Sequence, residues 1–266
     1  MLTLPTMPPA PVAALRERLA TTDVLLGAWT FFREPLAAEL AAQAGYDYVC
    51  IDGQHGLHDE ASIGAQLTAV RAGGPAFPIV RVRANDYGLI GRVLDTGALG
   101  VIVPMVNTPE EAAAVVAAGR YAPAGGRSFG PIGAMVRYGT DYVGAVNDRV
   151  ALIPMIETAE AVANVEAIAR TPGIDALYVG PSDLALTLGL PPGPDHDDAV
   201  FVDALDAIVA ACRQSGVIPA VHAEPELVAK RAEQGFRMMT IGFDFGSMVN
   251  GYRDALAVGR DARPDA

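Results

Sequence analysis

Lysine is almost absent from this chain: Lys230 is the only one among 19 basic residues. Cysteine is scarce as well. Cys50 and Cys212 stand alone without CxxC spacing, which excludes a disulfide scaffold, a redox dithiol and a cysteine zinc site. Both are read as buried, inert thiols. The 31 acidic residues outnumber the basic ones and leave a net charge of −12. That charge repels a phosphate backbone or an anionic bilayer, so nucleic acid and membrane are not expected as partners. No uncharged apolar run, such as Ala98 to Val106, approaches the ~18 residues of a spanning helix. The opening MLTLPTMPPAPV has neither a basic nor an apolar signal region, so an ordered or frayed arm, no export signal and a cytoplasmic location are expected. No GxGxxG follows a strand, and GxxxxGK[ST] and GxSxG are missing. Dinucleotide, P-loop and serine-hydrolase chemistry therefore lack their motifs.

What is present is a large apolar fraction, 51% against 19% charged, enough for a full core. Apolar, β-rich runs predict strands over Val24–Thr30, Tyr46–Asp52, Pro78–Arg83, Gly100–Pro104, Ala151–Glu157, Ala176–Val179, Val217–Val221 and Met238–Ile241. Helical patterns lie between them: Glu34–Ala44, Glu60–Ala72, Leu89–Asp95, Pro109–Ala118, Ala159–Ala169, Asp198–Ser215 and Pro225–Gln234. Thr108-Pro109-Glu110 is a helix-start signal. Strand and helix alternating in this way predict an α/β fold, a (β/α)8 TIM barrel. No linker divides the chain. The expected organisation is an N-terminal arm and helix over residues 1–23, a single barrel over 24–258 and a short polar tail over 259–266. Two stretches are long enough to be read as functional loops, Val106–Arg149 with GGRSFGP and Thr187–Asp198 with PPGPD.

Barrel active sites sit at the C-terminal ends of the strands, and polar residues collect there. Asp52-Gly53-Gln54-His55-Gly56 comes after the second strand, the third ends with Arg81 and the fifth with Glu157. Gly180-Pro181-Ser182-Asp183 follows the sixth, His222 the seventh and Asp244 the eighth. Glu157 and Asp183 end neighbouring strands and are either oxygen ligands for Mg²⁺ or Mn²⁺ or caps of the following helices. The turn Gly180–Asp183 offers backbone N–H groups to a substrate carboxylate. His55 is either a general base at the barrel mouth or a locally bonded imidazole. Arg81 can stabilise an oxyanion, and an ion pair with Asp52 or Asp95 is compatible with that role. His222 is on the same rim as a pocket candidate, whereas His58 and His196 have no such placement. Lys230 falls in a helical stretch away from any strand end, so a Schiff base is excluded and carbanion chemistry needs a metal.

The runs YDYVCIDGQHG, PIVRVRAND, IGRVLDTGALGVIVPMVNTPEEA, GGRSFGP, PMIETAEAVANVEAI and GIDALYVGPSDLALTLG resemble, in order, the HpcH/HpaI family of metal-dependent class II pyruvate aldolases. The resemblance spans roughly Leu25 to Asp244. It implies a barrel of the phosphoenolpyruvate/pyruvate type, commonly hexameric, with a terminal helix exchanged between partners. It also implies reversible aldol cleavage of a 4-hydroxy-2-oxo acid to pyruvate or hydroxypyruvate and an aldehyde through an enolate. By motif, Glu157 and Asp183 resemble the ligands of a divalent ion (Mg²⁺, Mn²⁺ or Co²⁺), His55 the base, Asp95 the carboxylate that raises its basicity, and Arg81 the oxyanion-stabilising arginine. Gly180, Pro181, Ser182 and Asp183 resemble the substrate-binding turn. Gln54 and Met155 depart from the family pattern, standing where many members have Glu and where the heptanedioate aldolases have Gln. A CoA-ester lyase or 2-oxo acid decarboxylase using the same enolate is the alternative, and a non-catalytic small-acid binder is a further one.

Overall fold

The structure is a computed structural model and describes residues 14–21 and 23–263. Most of the expected N-terminal arm and the last three residues of the tail lie outside the described residues. Eight parallel strands close into a barrel in sequence order: β1 (Leu25–Thr30), β2 (Tyr48–Asp52), β3 (Phe77–Arg81), β4 (Gly100–Val103), β5 (Ala151–Ile156), β6 (Ala176–Val179), β7 (Ile218–His222) and β8 (Met238–Phe243). Each corresponds to a predicted strand, with ends that differ by at most two residues.

Alternation along these strands divides the apolar residues between two cores. Tyr48, Cys50, Ile79, Ile153, Met155 and Tyr178 point into the barrel, together with Leu15 and Leu19 of α1 (Ala14–Leu19). Ile51, Val80, Leu152, Ile156, Leu177 and Val179 point outward to the helices. The barrel interior is filled, and the bulk of Tyr48 dictates its neighbour. A Cβ on Gly27 would stand 2.0 Å from the Tyr48 ring. The Tyr48 and Tyr178 hydroxyls meet at the Thr240 hydroxyl, 2.9 and 2.6 Å away, which satisfies three buried polar groups together.

The surrounding helices are α2 (Pro35–Gln43), α3 (Glu60–Gly73), α4 (Tyr87–Thr96), α5 (Pro109–Gly119), α6 (Ile132–Tyr138), α7 (Tyr142–Val146), α8 (Ala159–Ala163), α9 (Val165–Ala169), α10 (Pro181–Thr187), α11 (Ala199–Ser215), α12 (Val228–Gln234) and α13 (Asp244–Asp261). Thr108 caps α5 in a reciprocal capping box with Glu111, with Pro109 at the first helical position, as its start signal predicts. The single helix expected over Ala159–Ala169 breaks at Asn164, whose side-chain amide donates to the Asn107 carbonyl at 2.8 Å. The terminal helix α13 was not among the predicted helices, and it continues through Gly259 to Asp261 where a polar tail is expected.

The long stretch after β4 is a second correction. Because α5 starts at Pro109, the true loop above β4 is short. The GGRSFGP segment follows a helix and therefore returns at the N-terminal end of the barrel. There Arg127 pairs with Asp95 at 2.6 Å, and the Tyr138 and Tyr142 hydroxyls donate to the carbonyls of Gly97 and Leu94. This excursion braces α4, at the end of the barrel associated with stability.

Candidate active site

A cleft of about 320 Å³ opens at the C-terminal ends of the strands. It is lined by His55, Arg81, Met155, the Gly180–Asp183 turn, Pro194, His222 and Glu224, with Trp29, Phe31, Tyr178 and Phe243 as aromatic walls. The strand ends deliver these groups. Asp52 and Arg81 close adjacent strands in register, and the guanidinium forks onto the carboxylate through Nε at 2.8 Å and Nη2 at 2.5 Å. Of the two partners offered to Arg81 by the sequence, Asp52 is the one it takes. The Asp52 Oδ1 also accepts the backbone N–H groups of Gln54 and His55 at 3.0 and 3.3 Å. One buried carboxylate thus sets both the arginine and the turn that carries His55. Arg81 also lies over the Trp29 ring, 4.4 Å from its centroid, a cation–π contact that helps hold the guanidinium in place. Its remaining edge, Nη1, faces the Met155 sulfur at 4.0 Å.

Glu157 is buried just beyond β5, and its Oε1 accepts the Met105 N–H at 2.7 Å. Met105 reaches that position in the left-handed region, with φ 56°, an uncommon conformation for a residue with a side chain. No periodic sequence signal marks such a residue. Burial pushes the Glu157 carboxyl above the ordinary carboxylate range, opposed by the Met105 N–H and reinforced by the neighbouring charge of Asp183. Gly180 makes room for this carboxylate, since a Cβ there would come 2.6 Å from Glu157 Oε2. The helix-capping alternative fails for both acids. Thr158 caps α8, its hydroxyl accepting the Ala161 N–H. The α10 N-cap is Gly180, with no side-chain cap bond.

The described residues contain no group of three or more His, Cys, Asp or Glu placed to hold a metal. Two converging carboxylates remain, one exposed to the cleft and one desolvated. That donor set fits a hard divalent ion that keeps several positions for water or substrate oxygens, and it does not fit zinc.

The structure does not bring every sequence candidate here. Asp95 sits in the last turn of α4, at the opposite end of the barrel, and is held there by Arg127. It is not brought to His55 within one chain. Gln54 stands beside His55, but its side chain is absent from the cleft lining, and its Oε1 is sheltered without a hydrogen-bond partner among the described residues. Asp244 has a mechanical task, accepting the N–H groups of Phe31 and Phe32 at 2.9 Å and so tying the end of β1 to α13. Lys230 is not in the cleft lining; it pairs with Asp195 at 2.5 Å, next to Pro194, which is.

His222 is packed edge-on to Trp29 at 5.2 Å. Burial, then the Arg81 charge, push its imidazole down to about 4. His58 is lowered too, chiefly by burial. Unfolded imidazoles titrate near 6.5, so between about pH 6.5 and 4 the unfolded chain binds protons that the folded chain refuses. Folding stability is therefore expected to fall as pH drops through that window, and to fall less steeply in His222→Gln. Urea melts at several pH values measure this, and parallel wild-type and variant curves would count against a neutral, buried His222.

Comparison with known proteins places this architecture. The family model described as HpcH/HpaI aldolase/citrate lyase matches residues 25–251. A 4-hydroxy-2-oxovalerate aldolase of Novosphingobium aromaticivorans is 42% identical over 251 residues, covering 92% of this chain and 94% of that protein. A hydroxypyruvate/pyruvate aldolase of Roseovarius nubinhibens is 35% identical, covering 94% and 97%. The solved structure of an HpcH/HpaI family protein from Burkholderia cenocepacia superposes with a TM-score of 0.87 at 35% identity, covering 93% of this chain and 99% of that one. With the model match spanning the barrel and relatives aligned over nearly their whole length, the chain belongs to the HpcH/HpaI aldolase/citrate lyase family.

Proposed function

We propose that this protein is a divalent-metal-dependent class II aldolase that reversibly cleaves a 4-hydroxy-2-oxo acid to pyruvate, or hydroxypyruvate, and an aldehyde. One observation supports the reading: Asp183, Arg81 and His55 line one cleft, Glu157 is buried directly behind its Gly180 wall within reach of the Asp183 charge, and neither acid caps a helix. An ion held by the two carboxylates would supply Lewis-acid polarisation of the 2-oxo group. The protein's own groups do the rest. The backbone N–H groups of Gly180 and Ser182 receive the substrate carboxylate. His55 takes the proton of the 4-hydroxyl as the C3–C4 bond breaks, and the free Nη1 edge of Arg81 holds the charge that develops on the donor oxygen. Met155 offers Nη1 only a weak sulfur acceptor, so that edge stays available. The CoA-ester alternative receives no support from the lining, where Arg81 is the one arginine or lysine among the described residues.

The test bypasses the aldehyde. Protein stripped with EDTA is given Mg²⁺, Mn²⁺ or Co²⁺, and deuterium entry at C3 of pyruvate and hydroxypyruvate is followed by NMR in D₂O. Metal-restored exchange is expected, with its loss in His55→Ala. Absence of exchange with every metal and both donors overturns the reading.

We also propose that the protein is a homo-oligomer, hexameric by family resemblance. Phe245, Met248, Val249, Tyr252 and Leu256 form one exposed stripe along α13, at the spacing of a helix face that expects a partner. Leu256→Glu is expected to shift the protein to a smaller species in light scattering after gel filtration. An unchanged mass would remove α13 from the interface.

A further inference from the structure

The cleft is asymmetric. All of its donor-binding and catalytic candidates lie on the β2, β3, β5 and β6 side. The opposite side is built from the ends of β1, β7 and β8, where a chain of rings runs outward. Trp29 sits 6.4 Å from Phe31, and Phe31 meets Phe243 edge-to-face at 6.2 Å and Phe245 at 5.4 Å. Asp244 locks this wall by accepting the Phe31 and Phe32 amides.

Charge on that side is of one sign. Among the described residues lining the cleft Arg81 is the only arginine or lysine, and two of its three nitrogens are engaged by Asp52. His222 is packed against Trp29, and burial keeps it uncharged near neutral pH. Glu224 completes the rim above them, exposed and without a salt-bridge partner among the described residues. A negatively charged substituent on the incoming aldehyde would lie against rings and a carboxylate, with no lysine or arginine among the described lining residues of that side to meet it. An apolar substituent would instead exchange water for ring surface.

Resting on the aldolase reading above, we propose that the acceptor half of the site is selective for uncharged aldehydes with an apolar substituent. Phe31 and Phe243 form the contact wall, with the buried Trp29 ring behind them, and Glu224 is the residue that disfavours anionic acceptors. The substrate of the cleavage direction is then a 4-hydroxy-2-oxo acid whose carbon chain beyond C4 is an alkyl or aryl group, with no second carboxylate.

The test compares matched aldehydes with pyruvate as donor: butanal against 4-oxobutanoate, and benzaldehyde against 4-formylbenzoate. The uncharged member of each pair is expected to have a kcat/KM about tenfold or more above its anionic partner, since an unpaired charge must be desolvated against like charge. Ratios are read within each protein, so any loss of fold or of donor binding cancels. Glu224→Gln is expected to narrow the ratio, Glu224→Arg to bring it to one or invert it, and Phe243→Ala to lower benzaldehyde relative to acetaldehyde. Trp29 is the only tryptophan, so its fluorescence reports binding without turnover, and butanal is expected to saturate the signal at lower concentration than 4-oxobutanoate. Anionic aldehydes matching or exceeding their neutral partners, or a ratio indifferent to residue 224, overturn the proposal. Deuterium exchange at C3 of pyruvate separates the two failures. Exchange present with the wrong acceptor ratio defeats the acceptor proposal alone, and exchange absent under every metal defeats the aldolase reading and this proposal with it.

Discussion

Replacing Glu157 with glutamine is expected to lower metal-dependent turnover by about a thousandfold or more. The side chain keeps its shape, and its remaining carbonyl oxygen can still accept the Met105 N–H, now 2.7 Å from Oε1. What disappears is one of two negative charges available to a divalent ion. Lewis-acid stabilisation is worth several kcal/mol, and each ~1.4 kcal/mol is a factor of ten in rate. Asp183→Asn removes the other charge and is expected to act similarly, with the pair far from additive if, as proposed, both hold one ion. Two readouts check this: deuterium exchange at C3 of pyruvate, and calorimetric titration of the stripped protein with Mn²⁺. Wild-type metal affinity with full exchange in either variant would sink the ligand assignment. Lost exchange at wild-type affinity would move the residue from ion binding to proton transfer.

Asp52→Asn is expected to destabilise the fold by about 3–5 kcal/mol, the usual effect of removing one member of a buried ion pair. In a chain of this size that corresponds to a fall of roughly 10 °C in Tm. Asp52 has no exposed side-chain surface and Arg81 only 7%, so the stranded guanidinium has little access to water. The loss also reaches the site, because Asp52 Oδ1 orders the Gln54 and His55 amides. The double variant Asp52→Leu/Arg81→Met is expected to recover much of the stability and none of the activity, since replacing a buried pair by apolar groups is often neutral while breaking it is not. Thermal melts and exchange rates on the three variants decide it. A single Asp52→Asn with wild-type Tm would show that Arg81 finds water or another partner.

The comparison of sequence with structure divides along physical lines. Strand existence and order were legible because burial on both faces leaves β-rich apolar runs that Gly and Pro punctuate. The rim residues His55, Arg81, Glu157, Gly180–Asp183 and His222 were legible because they end those runs or come just after them. The GGRSFGP segment was misplaced although a signal existed. It comes after the end of a helical stretch, and in a βα repeat that is the end of the barrel opposite the cleft. Asp95, in the last turn of α4, lies at that same end within one chain.

Other features had no signal of that kind. The choice of Asp52 as partner of Arg81 depends on the register of β2 against β3. The left-handed Met105 that aims its N–H at Glu157 depends on how the loop above β4 packs over β5. The aromatic wall gathers Trp29, Phe31 and Phe243 from opposite ends of the chain where β1 and β8 close the barrel. The sequence by itself determined the barrel, the strand order and the set of rim residues able to do chemistry, because periodicity and element succession are local along the chain. Only the tertiary structure decided which rim groups pair, which carboxylates stay free of helix caps and which side of the cleft is apolar, because those depend on register, closure and burial among residues far apart in sequence.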